Sequence, residues 1–141
     1  MMYDKEELAK IKNYVSPTQP VYHQITGAFL CGAPVDISQM KWSIPLFLFA
    51  GKRKSLSFKK ANPINHVEGN EPFYILLPQG TKDGMVPYRN VISFYEKLKS
   101  FAPDQVELFI LENGTHLDSA KWGYSDNALR KKILDWLEKM E

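Results

Sequence analysis

Three short apolar runs punctuate the 141-residue chain: Ile25–Cys31, Phe73–Leu77 and Val106–Glu112. Each is near-continuous rather than alternating, the pattern of a strand covered on both faces. Gly32-Ala33-Pro34 ends the first run. Pro78-Gln79-Gly80 closes the second, because proline cannot donate to a strand ladder. Before the first run, Asp4 followed by Glu7 reads as a capping-box variant opening a short helix. Leu8, Ile11 and Val15 give that helix its apolar stripe, and Pro17 with Pro20 stop it. Pro87 opens a second helix, at the first helical position that proline favours. Its broad face is Val91, Tyr95, Leu98 and Phe101, with Ile92 and Phe94 alongside, and Pro103-Asp104 breaks it. Ser125 or Asp126 caps the last helix, whose buried stripe is Leu129, Ile133, Trp136, Leu137 and Met140. The segment from Asp36 to Asn70 is less periodic. It holds a short helix within Lys41–Ala50 interrupted by Pro45, a solvated Lys52-Arg53-Lys54 loop, and turn residues from Asn62-Pro63 to Pro72.

Buried strands alternating with amphipathic helices predict an α/β fold: a three-stranded, mainly parallel sheet flanked by helices. Nothing divides the chain, so residues 1–141 read as a single domain. Three strands make a small sheet, and strands apolar on both faces need neighbours at both edges. The first run has a partner on one side only. Its other edge is left open.

Composition narrows the partners. Eighteen lysines and arginines against 16 aspartates and glutamates leave a net charge of +2, too balanced to attract a nucleic acid or a membrane surface. The longest apolar stretches, such as Ile44–Ala50, fall far short of a membrane span. The mixed-charge N-terminus has no apolar signal core, which favours a cytoplasmic location. One cysteine, Cys31, excludes an intrachain disulfide and a cysteine-built zinc site. His23, His66 and His116 are widely separated and lack a metal-ligand spacing, so no metal or other cofactor is expected. His66-Val67-Glu68 fits His-x-Glu, but no Cys-x-x-Cys completes a deaminase set.

In parallel α/β sheets, functional groups gather beyond the carboxyl ends of the strands. The loop after the second run contains Asp83, and the loop after the third contains His116. A carboxylate held on one imidazole nitrogen fixes the tautomer and leaves the other nitrogen to move protons. The plainer alternative stays open: Lys82-Asp83-Gly84 is also ordinary turn chemistry, and His116 could be a hydrogen-bonded loop histidine.

The residues around these two carry a resemblance. Asn62-Pro63-Ile64, then Pro72 to Gln79-Gly80-Thr81-Lys82-Asp83-Gly84-Met85-Val86-Pro87, then Gly114-Thr115-His116 after a strand, resemble the C-terminal half of α/β-hydrolase-fold esterases and lipases. The nearest groups are the feruloyl-esterase-like and prolyl-oligopeptidase-like ones, and the likeness covers roughly residues 25–139. It implies the C-terminal half of an α/β-hydrolase fold, a small-molecule ester as substrate, and no cofactor. Asp83 would be the triad acid and His116 the triad base. The chain departs from that family in having no Gly-x-Ser-x-Gly nucleophile elbow and no His-Gly-Gly type loop for oxyanion donors. By this resemblance Met1–Val15 falls where the helix after the nucleophile, or its following loop, would lie.

Cys31…Asp83…His116 is a permissible order for a cysteine triad. Phe29 stands where an elbow needs a small residue, however, and Pro34-Val35 begins no clean helix, so Cys31 reads as structural. Trp42 has no assigned role, and Trp122 is at most a pocket-lining residue. Two functions follow. One is a serine-type carboxylic ester hydrolase whose nucleophile lies in a missing N-terminal half, so that this chain alone is weakly active or inactive. The alternative is a non-catalytic hydrolase remnant acting as an oligomerising or partner-binding module, with the open strand edge as its motive.

Overall fold

A computed structural model describes residues 26–41, 43–69, 74–124 and 126–140. The helix expected before Pro17, together with His23 and Trp42, lies outside the described residues. Three strands, β1 (Gly27–Phe29), β2 (Tyr74–Gly80) and β3 (Val106–Leu111), form one sheet in the order β1-β2-β3. Both pairings are parallel, with Ala28 opposite Ile75 and Leu77 opposite Leu108. Four helices accompany them: α1 (Ile44–Ala50), α2 (Leu56–Ala61), α3 (Tyr88–Phe101) and α4 (Ala128–Glu138). Short 3-10 helices cover Ile37–Gln39, Pro63–His66 and Leu117–Gly123.

The alternation of side chains along β2 explains the layering. Ile75 and Leu77 point to the α3 side, where Val91, Phe94, Leu98 and Val106 pack with them. Leu76 points the other way, into Leu129, Ile133 and Trp136 of α4. Most of each apolar stripe is thus used against one face of the central strand, although Phe101 at the end of α3 is exposed. Lys132 of α4 and Lys139 just after it reach over β3 to Glu107 and hold its carboxyl below the usual carboxylate range.

Several expectations need correcting. Only β2 is buried on both faces; β1 and β3 are half-buried, because among the described residues each lies at an edge of the sheet. Pro78 does not end β2. The Tyr74 N–H and the Leu76 and Pro78 carbonyls all face β1, so the donor that Pro78 lacks falls on that side, where β1 has already ended at Phe29. Pro45 does not interrupt a helix either. It lies in the first turn of α1 behind the Ser43 cap, where its missing N–H would have had no partner. Asn127, one or two residues later than expected, caps α4 by accepting from the Arg130 N–H at 2.9 Å. Leu137 turns out exposed. The helix α2 was not foreseen: Ser55 caps it, but its six residues bury only Phe58 and are too few to show a period.

Candidate active site

The loops after β2 and β3 leave the same end of the sheet, and backbone hydrogen bonds stitch them together. The Thr81 N–H donates to the Leu111 carbonyl at 3.1 Å and the Lys82 N–H to the Gly114 carbonyl at 2.9 Å. In return the Asn113 N–H donates to the Thr81 hydroxyl at 2.8 Å. This close approach depends on Gly80. A Cβ at that position would stand 2.2 Å from the Gly114 carbonyl oxygen, a distance no side chain tolerates.

Within this frame the Asp83 carboxylate meets His116. Its Oδ2 lies 2.9 Å from His116 Nδ1, with the Asp83 side chain fully buried and the imidazole one-third exposed. The other oxygen, Oδ1, accepts the Met85 N–H at 2.9 Å and the Val86 N–H at 2.8 Å. A fourth donor, Gln79 Nε2, stands 3.3 Å from Oδ2. Burial by itself raises the Asp83 carboxyl. The Val86 N–H, His116 and the Met85 N–H outweigh it and leave the group below its ordinary value.

A carboxylate surrounded by donors is an acceptor only, so Nδ1 of His116 carries the proton. In the neutral ring Nε2 then keeps its lone pair, and no hydrogen bond to it occurs among the described residues. The turn beneath the imidazole is held independently. Asp118 accepts from the Thr115 N–H at 2.8 Å and from the Thr115 hydroxyl at 2.7 Å, and pairs with Lys121. Lys121 and then these Thr115 donors drive the Asp118 carboxyl well below its usual value.

A third loop completes the rim. Gly32, just beyond β1, has φ +54°, and a Cβ there would lie 3.1 Å from His116 Nδ1 and 3.3 Å from Asp83 Oδ2. Glycine is therefore favoured twice, for its backbone conformation and for the space the Asp83–His116 pair occupies. The loop that follows is pinned from α3. Asn90 accepts the Val35 and Asp36 N–H groups and donates to the Asp36 carbonyl at 2.7 Å.

Other candidates fall elsewhere. Burial pushes the Cys31 thiol up to about 11, the opposite of an activated nucleophile. His66 donates its Nε2 proton to the Lys60 carbonyl at 2.7 Å and serves local structure. Trp122 packs edge-to-face on Phe29 at 4.9 Å, within the layer under α4. No group of three or more metal-ligating side chains occurs among the described residues. No helix among them is long and apolar enough to cross a membrane. Gln79, Gly32 and Asn90 escaped the sequence reading. Only Gln79 left a local signal there, as an amide at the carboxyl end of an otherwise apolar run.

A buried carboxylate and a histidine beyond neighbouring strand ends of a parallel sheet thus form a hydrogen-bonded pair. Neither a protein-family model nor a curated protein matches the sequence. Solved structures do. A truncated carbohydrate esterase from gut microbiota superposes with a TM-score of 0.65 at 21% identity, over 81% of this chain and 42% of that one. A bifunctional GH43-CE protein of Bacteroides eggerthii gives 0.64 at 21% identity, over 82% of this chain and 15% of that one. The propionate-bound esterase of Thermogutta terrifontis gives 0.57 at 22% identity, over 87% and 45%. The chain therefore has the fold of one part of an α/β-hydrolase-type esterase and spans less than half the length of these structures.

Proposed function

We propose that Asp83 and His116 are the acid and base of a carboxylic ester hydrolase of the serine type, acting on a small-molecule ester. The observation that carries this reading is the 2.9 Å contact between buried Asp83 Oδ2 and His116 Nδ1 beyond the strand ends. Esterases as structural neighbours support it, and so does the free Nε2. In the reaction Nε2 takes the proton from a serine hydroxyl as the hydroxyl attacks the ester carbonyl. The resulting imidazolium is stabilised by Asp83 and passes its proton to the departing alkoxide, leaving an acyl-serine. Water then attacks the acyl-serine with His116 again as base, which releases the acid and restores the serine. This chemistry needs no metal or cofactor. In this reading the serine comes from outside this sequence, which has no Gly-x-Ser-x-Gly.

The test is hydrolysis of p-nitrophenyl acetate. In the native gene product, His116→Ala and Asp83→Asn lower kcat by about 10³- to 10⁴-fold; unchanged turnover in His116→Ala contradicts the assignment. The 141-residue chain by itself shows no enzyme-like turnover. Robust turnover blocked by a serine-directed phosphonate overturns the statement that its nucleophile lies elsewhere.

A second reading, a non-catalytic pairing module, draws on β1. Among the described residues this strand is paired on one side only. An added strand there, from a missing half or from a second copy, satisfies the open edge. Light scattering at micromolar concentration decides: a stable monomer removes the motive for self-association.

A further inference from the structure

Gln79 is an amide embedded at the end of an apolar strand, fully buried and held in one orientation by its surroundings. Its Nε2 faces three acceptors: the Val86 carbonyl at 3.1 Å, the Gly80 carbonyl at 3.3 Å and Asp83 Oδ2 at 3.3 Å. Flipping the amide would set oxygen against all three. The cost of this orientation falls on Oε1, which has no hydrogen-bond partner among the described residues. A methionine or leucine would fill the same volume without a stranded acceptor. A residue that serves packing alone would not keep the amide, so the donor half is the part the site uses.

We infer that Gln79 is a positioning residue for the acid–base pair, closing the Gly80–Val86 turn around Asp83 and sharing Oδ2 with His116. The inference rests on the reading of Asp83 and His116 given under Proposed function. Oδ1 is already occupied by the Met85 and Val86 amides, which fix the carboxylate at one corner. Gln79 fixes the other corner and aims Oδ2 at the imidazole. Two donors on one oxygen also compete for its charge. Gln79 thereby limits how strongly Asp83 draws on the His116 Nδ1 proton and so sets the pull felt at Nε2.

Proton NMR of the 141-residue chain tests this, with the His116 Nδ1 proton assigned by its loss in His116→Phe. In Gln79→Met, which removes the donors and keeps the bulk, that proton moves further downfield because Oδ2 is left to one partner. If the resonance is unmoved or moves upfield, whether or not the thermal midpoint falls, Gln79 does not act on the pair and the inference is overturned. Should Gln79→Met fail to fold, the wild-type chain decides. Two donors on one oxygen bring their hydrogens close, so a nuclear Overhauser contact joins the Gln79 amide protons to the His116 Nδ1 proton. Absence of that contact overturns the inference. Absence of any Nδ1 proton signal in wild type is a different failure, that of the Asp83–His116 pair itself.

Discussion

The rim formed by the loops after β2 and β3 and the α1–α2 segment use their side chains in opposite ways. At the rim, polar groups are inside: the Asp83 carboxylate is fully buried and takes four donors, and the backbones of two loops bond to each other. In α1, apolar groups are outside: Ile44 is 76% exposed, Leu48 77% and Phe49 73%. Burying a carboxylate is unfavourable unless it is fully satisfied, whereas leaving a leucine in water forfeits burial without breaking anything. The rim is therefore over-determined and sensitive to single atoms. The α1–α2 segment is tolerant, held by Ala50, Phe58 and Ile37 beneath it and by the Ser43 and Ser55 caps.

This contrast can be broken at several points. The largest effect is the loss of turnover in His116→Ala and Asp83→Asn described above. Next comes Gly80→Ala, whose Cβ lands on the Gly114 carbonyl and must push the two loops apart. Overpacking of this kind costs about 3 kcal/mol, read from urea unfolding. A cost below about 0.5 kcal/mol, the scale of ordinary surface changes, would show that the loops are not locked. Gly32→Ala is milder, at about 1–2 kcal/mol for a left-handed backbone carrying a Cβ. It should also disturb the His116 Nδ1 proton, since the new methyl lies against that atom.

The pH dependence follows from the same carboxylates. Asp83 and Glu107 are held below their ordinary values, so at acidic pH the unfolded chain binds protons that the folded chain does not. Their stabilisation is complete above the ordinary carboxylate pKa, about 4, and is lost as pH falls through the lowered native values. The urea midpoint should drop between pH 7 and pH 3, and Asp83→Asn should flatten part of that drop. A midpoint independent of pH would contradict the pairing. The smallest effect is Leu48→Lys in α1, expected within about 0.5 kcal/mol of wild type as at other exposed positions. A loss of several kcal/mol there would mean that the segment is not tolerant.

What could be read along the chain was what is local. The apolar runs at Phe73–Leu77 and Val106–Glu112 are dense enough to announce strands, and the Asp83 and His116 loops follow from where those runs stop. The reach of β2 past Pro78 was hidden because it depends on how early β1 ends. Gly32 read as a strand terminator, since nothing in its neighbours in sequence says that an imidazole from 84 residues away will lie on it. Asn90 and Asp36 are 54 residues apart, and only the fold brings them together. Gln79 read only as part of the Pro78-Gln79-Gly80 strand end, because its acceptors at Val86 and Asp83 are brought to it by the folded turn.

The protonation state of the His116 ring tests the central claim most directly. For the neutral form of the ring, a long-range proton–nitrogen correlation spectrum of the chain should show a single tautomer, with Nδ1 protonated and Nε2 bare. A neutral ring that carries its proton on Nε2, or one averaging between the two tautomers, would mean that Asp83 does not hold it.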